Sequence, residues 1–318
     1  MIDLVIHNDR TEFAPSIIST RGTGGFEVAC SQIAEGIAAT GRSVVCMSPY
    51  DGKLERGPVV YLSESSHTNA DRCRTLLTSR DGRIPTWLKA SRLLTHCVDD
   101  IRAPGEARKF AHLLEVDTTL VHPSEYQRSA YVDAGHGNNV VIPSMVNDDV
   151  WHYRRCEKKP GRFVIVNAWN KGTDSTLRLW SEIRRSMPGC ELYVASPYGA
   201  PVDAKERCIF AGATWMGALT PMGIVNALST AEAVVRVCDR PETFGVADYI
   251  AEVVGARVHC LCTEGYGAAR EVLASPWLTD DVSEFINGVR GRPTTVVEPK
   301  IDVRCSKVLP LWEEALFG

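Results

Sequence analysis

Three short segments place chemistry-bearing residues where a chain changes from an apolar run to a helical pattern. The first is Gly22-Thr-Gly-Gly25, which follows the apolar run Leu4–His7 and opens the periodic stretch beginning at Phe26. Glycines let backbone N–H groups approach a ligand, and a helix N-terminus favours negative charge. The second is Asn170-Lys171-Gly172, just past the apolar run Phe163–Val166. A lysine at the carboxyl end of a parallel strand, in a glycine-containing loop before a helix, suits a diphosphate. The third is Pro241-Glu242-Thr243-Phe244-Gly245, after Ala233–Val237. A carboxylate there can accept hydrogen bonds from sugar hydroxyls while Gly245 keeps the backbone close. Each segment also has an ordinary reading: a flexible turn, a solvated loop lysine, and a glutamate that complements a helix dipole.

A fourth candidate is His96, which follows the run Arg92–Thr95 in Thr-His-Cys-Val-Asp-Asp. Asp99 and Asp100 beside it could act as a general base or cap the next turn. His7, His122 and His259 lie in or beside other apolar runs, where a lone histidine is usually a satisfied structural group. No set has zinc-ligand spacing. The glycine loop is neither Gly-x-Gly-x-x-Gly, since position 27 is Glu, nor a phosphate-binding P-loop, which needs Gly-Lys-Ser/Thr.

These segments need elements to hold them. Short apolar runs at Leu4–His7, Ser43–Ser48, Val59–Leu62, Arg92–Thr95, Thr118–His122 and Val140–Ile142 alternate with helical patterns at Phe26–Thr40 and from Ser124. That alternation predicts parallel β-α-β architecture. Asn147–Pro160 is polar and irregular and predicts a linker. The pattern then restarts with strands at Phe163–Val166, Glu191–Ala195, Cys208–Phe210, Ala233–Val237 and Val258–Cys262, and a helix over Thr176–Ser186. The expected fold class is therefore α/β, with two Rossmann-like domains facing each other across a cleft. The boundaries read as 1–152, 153–300 and a C-terminal helical segment, 301–318, within which Lys307–Phe317 is amphipathic and packs either on its own domain or back on the first.

Composition agrees with a globular protein. The chain has 318 residues, 44% hydrophobic and 23% charged, long enough that one core normally divides into two. The formal net charge of −4 gives no basic field that would advertise nucleic acid or an anionic membrane. Eleven cysteines form an odd count with no Cys-x-x-Cys, and most sit in apolar context, which predicts reduced thiols and a cytoplasmic setting. The first residues, Met1-Ile-Asp-Leu-Val-Ile-His, lack the basic start of a signal peptide, and no apolar run approaches the roughly eighteen residues of a membrane span.

Taken in order, these segments resemble the retaining GT-B enzymes of glycosyltransferase family 4. Gly24-Gly25 with Glu27 is similar to the family's glycine loop, and Ser124-Glu125-Tyr126-Gln127-Arg128 to its Ser-Glu-x-x-Arg helix start. Ile142-Pro143-Ser144-Met145-Val146 resembles the turn that follows, and Phe163–Trp180 the strand, Lys-Gly loop and helix of the second half. Phe210-Ala211-Gly212 resembles a strand end of the form Phe-x-Gly. Glu242 with Phe244-Gly245 resembles the start of the Glu-x7-Glu element. The likeness spans roughly residues 1–275. It departs at Ile250, where the second glutamate is expected and Asp248 or Glu252 are the neighbouring acids, and at Asn170, where an arginine is common.

The resemblance implies a metal-independent, retaining sugar transfer from a nucleotide donor, UDP- or GDP-linked, with no permanently bound cofactor. Gly24, Gly25, Asn170, Lys171, Gly172, Gly212, Glu242, Thr243, Phe244 and Gly245 would contact the donor. His96, Asp100 and Glu242 would serve at the reacting centre, and Glu27, Ser124 and Glu125 on the acceptor side. The acceptor could be a carbohydrate, lipid, protein or modified nucleic-acid base, the last as in a phage-type DNA-base glycosyltransferase. A catalytically degenerate nucleotide-binding module is the rival from another class. An oxidoreductase or epimerase is disfavoured by the failed glycine fingerprint and the lack of Tyr-x-x-x-Lys.

Overall fold

The computed structural model describes residues 1–8, 10–22, 24–49, 53–63, 72–79, 85, 87–102, 107–197, 199–291 and 296–318. The chain divides into two units, the first formed by Met1–Ile18, Gly25–Met145 and Val303–Gly318, the second by Ser19–Gly24 and Val146–Asp302.

The first unit runs β1 (Ile2–His7), α1 (Pro15–Arg21, which continues into the second unit's segment), α2 (Gly25–Ala39), β2 (Val44–Ser48), β3 (Lys53–Arg56), β4 (Val59–Ser63), β5 (Arg72–Ser79), β6 (Lys89–His96), α3 (Ala107–Phe110), β7 (Thr119–His122), α4 (Glu125–Asp133) and β8 (Asn139–Val141). Its eight strands lie in the order β3-β4-β2-β1-β5-β6-β7-β8. All pairs are parallel except β3 with β4. The strands read as apolar runs because both faces of a parallel sheet are covered. Val5, Met47, Leu62 and Leu76 form one buried cluster, and Phe110, Leu120 and Tyr131 another.

The second unit opens with a 3-10 helix over Asp148–Arg155, inside the stretch expected to be a linker. Then come β9 (Lys159–Val166), α5 (Thr173–Ser186), β10 (Glu191–Ala195), α6 (Ala204–Ala211), β11 (Thr214–Gly217), α7 (Pro221–Thr230), β12 (Ala231–Cys238), α8 (Val246–Val253), β13 (Arg257–Cys262), α9 (Ala269–Val272), β14 (Leu278–Thr279) and α10 (Val282–Gly291). Six parallel strands take the order β11-β10-β9-β12-β13-β14. Phe163, Trp180, Leu192, Val235 and Phe285 belong to its core.

The final helix, α11 (Cys305–Phe317), belongs to the first unit. Trp312 and Leu316 are buried, and the Leu316 carbonyl accepts a 2.8 Å bond from the Thr75 hydroxyl of β5. Gly36 of α2 lets the two helices close up, because a Cβ there would sit 2.6 Å from Leu309.

Two local expectations are corrected. Cys208–Phe210 is the last part of α6, not a strand; Cys208 is buried, but Ile209 and Phe210 are 63% and 97% exposed. Phe210-Ala211-Gly212 is therefore a helix end, and Gly212, at φ 72°, closes α6 in the left-handed conformation. The glycine that ends a strand is Gly217 of β11. Strand β5 carries no clear strand pattern in the sequence, since Thr75, Thr78 and Ser79 are polar. Thr75 and Thr78 pair inside, Thr78 to the Thr95 hydroxyl at 3.0 Å and to the Leu94 carbonyl. All eleven cysteines are free thiols, nine of them buried.

Candidate functional site

In the second sheet, β9 has β10 on one side and β12 on the other, so the strand order reverses between β9 and β12. Ligands of open α/β sheets bind beyond the carboxyl ends of the strands at such a point. Two of the sequence candidates lie there.

After β9 the chain makes a 3-10 turn over Trp169–Lys171 and reaches Gly172 at φ 101°. A Cβ at 172 would run into the Val237 carbonyl oxygen of β12, so only glycine lets the loop lie this close. Thr176 locks the arrangement: its hydroxyl donates to the Gly172 carbonyl and accepts from the Val237 N–H, both at 2.8 Å. The Asn167 amide holds the Lys171 carbonyl at 2.7 Å. Asn170 is exposed at the turn, and Trp169 is buried with its indole N–H donating to Asp174.

After β12 the chain passes through Glu242 to Gly245, the left-handed residue at the start of α8. Lys171 Nζ donates to Glu242 Oε2 at 2.8 Å, so the structure brings the second and third motifs together. The other oxygen, Oε1, accepts from Arg236 Nη1 at 3.0 Å, and Arg236 Nη2 pairs with Asp248 Oδ2 of α8 at 2.7 Å. Phe244 is buried against Tyr249, and Thr243 and Gly245 are half-buried.

The electrostatics follow from who is paired. Burial alone would push Glu242 up, but Lys171 and Arg236 hold it down at about 2, so it is ionised at any working pH. Asp248 goes the other way: burial lifts it to about 6 against the pull of Arg236, with Glu242 adding repulsion. Glu252 is lifted by burial to about 7 and accepts the Ala274 and Ser275 amide N–H groups at 3.0 and 2.7 Å. Of the two acids near Ile250, Asp248 thus faces Arg236, while Glu252 ties α8 to the segment after α9.

The remaining candidates occupy the first unit or the segment preceding α2. His96 ends β6, 2% exposed, with Phe26 and Trp312 rings at 5.4 and 5.0 Å. Asp100 accepts the Arg102 amide and the Tyr126 hydroxyl. Glu27, buried in the first turn of α2, accepts from the Thr11 hydroxyl at 2.7 Å, and Thr11 in turn accepts from Asn8. Ser124 caps α4 through the Gln127 N–H, and Glu125 pairs with Arg128 on the surface. Gly25 begins α2 and Gly24 precedes it; Thr23 lies outside the described residues.

Two site residues escaped the sequence reading. Arg236 sits in the apolar run Ala233-Val-Val-Arg-Val237, and a charge inside an otherwise apolar run was the signal. Gly267, at φ 55°, faces the Glu242 backbone so closely that a Cβ would collide with its carbonyl oxygen, and the Ala268 N–H donates to that carbonyl at 2.8 Å. Among the described residues no three or more His, Cys, Asp or Glu converge as a metal site, and no helix is long and apolar enough to cross a membrane.

No protein-family model matches the chain, and no curated protein matches its sequence. Its fold, however, is found among solved glycosyltransferases. HepE from Anabaena, in complex with UDP and glucose, superposes with a TM-score of 0.69 at 12% identity, covering 99% of each chain. AviGT4, a glycosyltransferase involved in avilamycin A biosynthesis, gives 0.63 at 14% identity over 99% of this chain and 97% of its own. A trehalose-6-phosphate structure from E. coli, bound with UDP-2-fluoro glucose, gives 0.63 at 10% over 99% and 94%. The chain has the α/β fold of the GT-B glycosyltransferases.

Proposed function

We propose that this chain is a glycosyltransferase that takes its nucleotide-sugar donor at the carboxyl ends of β9 and β12. The observation that carries the reading is the Lys171–Glu242 pair at the switch point of the second sheet, with Lys171 side chain 37% exposed and Glu242 buried behind it. Lys171 would meet the diphosphate and Glu242 the hydroxyls of the donor sugar. In the transfer, the bond from the anomeric carbon to the diphosphate oxygen breaks, and the nucleoside diphosphate leaves with the electron pair. The acceptor oxygen bonds the anomeric carbon, and its proton passes to the leaving diphosphate. Retention of configuration, metal independence and a cytoplasmic setting belong to this reading. The family resemblance supports the first two, and eleven free thiols support the third. UDP is the favoured nucleotide, because two structures of this fold carry UDP or a UDP-sugar. Ile250 and the engagement of Glu252 with backbone amides favour one second reading, a module that binds a nucleotide without transferring sugar.

Thermal unfolding against UDP, GDP, ADP, dTDP, CDP and NAD, with and without EDTA, tests the donor class. A ligand at about a hundred times its dissociation constant adds about 2.7 kcal/mol, a shift of a few degrees. UDP should stabilise the protein regardless of EDTA, and Lys171→Ala should abolish the shift. Stabilisation by NAD alone would overturn the reading. UDP binding with no sugar released from any UDP-hexose would favour the module.

A further inference from the structure

A buried arginine in the middle of a parallel strand is expensive to place, and here it has two anionic partners. Arg236 is 2% exposed. Its Nη1 donates to Glu242 at 3.0 Å and its Nη2 to Asp248 at 2.7 Å, so one planar guanidinium spans a loop carboxylate and a helix carboxylate. The other charged or titratable groups bearing on this cluster are Lys171 from the β9 loop, Cys238 at the end of β12 and Cys260 from β13. With Lys171 the four ionic groups balance, two positive and two negative.

We propose that Arg236, anchored by Asp248, is the positioning residue that fixes Glu242 for the sugar of the donor. The inference rests on the donor reading given above. Lys171 is more than a third exposed and sits on Oε2; a diphosphate competes for that ammonium. When Lys171 turns to the diphosphate, Oε2 is released to a sugar hydroxyl. Oε1 then needs a second cation to stay oriented and ionised, and Arg236 supplies it from the core side. Asp248 holds the other arm of the guanidinium, so the fork cannot rotate away. Gly267 and the Ala268 N–H pin the Glu242 backbone at the same point, leaving the side chain to the two cations. Lys171 is thus assigned to the diphosphate and Arg236, through Glu242, to the sugar.

Removing Arg236 alone leaves two buried carboxylates unbalanced and endangers folding. The decisive variant is therefore the charge-balanced double replacement Arg236→Met with Asp248→Leu, alongside Arg236→Lys. Calorimetric titration with UDP, UDP-glucose, UDP-galactose and UDP-N-acetylglucosamine, on protein of verified fold, reads the affinity that each sugar adds over UDP. In the wild type at least one hexosyl group should tighten binding. In the double variant UDP itself should bind within twofold of wild type, while the sugar increment falls about tenfold. Arg236→Lys should restore part of it. The sugar increment should also acquire a new acidic limb in the double variant, because Glu242 keeps its burial but loses one of its two cations. An unchanged increment and unchanged pH profile would overturn the inference with the donor reading intact. A wild type that binds UDP but gains from none of the three sugars would overturn it too. Failure of the wild type to bind UDP at all would sink the UDP donor reading and the inference together.

Discussion

Gly41 and Gly172 both stand at positive φ, 89° and 101°, yet they carry different constraints. Nothing lies within 4 Å of where a Cβ at 41 would go, whereas at 172 the Val237 carbonyl oxygen already fills the space. Gly41→Ala should therefore lose only the left-handed penalty, about 1–2 kcal/mol. Gly172→Ala adds a main-chain collision at the mouth of the switch point, so its loss should exceed that of Gly41→Ala. It should also weaken UDP binding, since Lys171 is the preceding residue and moves with the loop. Urea unfolding of both variants, with UDP titration of Gly172→Ala, checks this; equal losses at the two positions would refute the steric account. At the same scale, Lys171 and Glu242 were legible from the sequence because each lies just past an apolar run, where a strand must end. Their mutual contact was not, since 71 residues separate them and spacing says nothing about which strands are neighbours. Arg236 was passed over because periodicity marks a buried strand but cannot tell what a charge inside it will meet.

Helix α6 shows where element assignment from pattern fails. Cys208-Ile-Phe210 is a short apolar run of strand-like composition, and run length alone cannot separate a strand from one turn of helix. The structure decides by burial: Cys208 points into the core, and Ile209 and Phe210 point to solvent. In a buried strand Phe210→Glu would be ruinous; on this helix it should change stability by no more than about 0.5 kcal/mol. Cys208→Glu, which buries a carboxylate, should destabilise severely or prevent folding. A severe loss for Phe210→Glu in denaturant unfolding would mean that α6 is packed differently. Strand β5 is the converse case. Its threonines look like loop residues, and they are tolerated at the centre of the sheet because β6 and α11 supply hydrogen-bond partners. Such partners come from 16 to 241 residues away and leave no local trace. The elements bordering the site, β9, α5, β12 and α8, were legible because their apolar periods and glycine punctuation agree.

Each unit of the molecule carries a histidine kept neutral by burial, and each histidine sets one part of its unit's response to acid. In the first unit His122, fully buried, has its Nε2 within 2.7 Å of Asn139 and is pushed down to about 4. In the second, His259 stacks on Trp277 at 5.0 Å and is pushed down to about 3, first by burial and then by Arg257. Both lie below the unfolded value of 6.5, so the unfolded chain takes up protons first as pH falls. The stabilising contribution is whole above pH 6.5 and is lost as pH drops towards 4 in one unit and 3 in the other. The loss accumulates at about 1.4 kcal/mol per unit of pH within that window. Asp248 and Glu252 of the second unit act in the opposite direction, because burial raises them to about 6 and about 7 and the folded state takes up their protons first; Glu242 joins the histidines only further down, between 4.5 and about 2. His259→Phe isolates the second unit: the ring can keep its stack on Trp277, and His259 Nε2 has no hydrogen-bond partner to lose among the described residues. Hydrogen exchange, corrected for intrinsic rates and compared at pH 7 and 4.5, should then show a higher ratio of pH 4.5 to pH 7 protection for β12 and β13 peptides in the variant than in the wild type, whatever the direction of the wild-type change. Protection of β7 and α4 peptides, around His122, should still fall as before. If that ratio is the same in His259→Phe as in the wild type, His259 does not lose stability with acid, and the account of it as a buried neutral histidine is wrong.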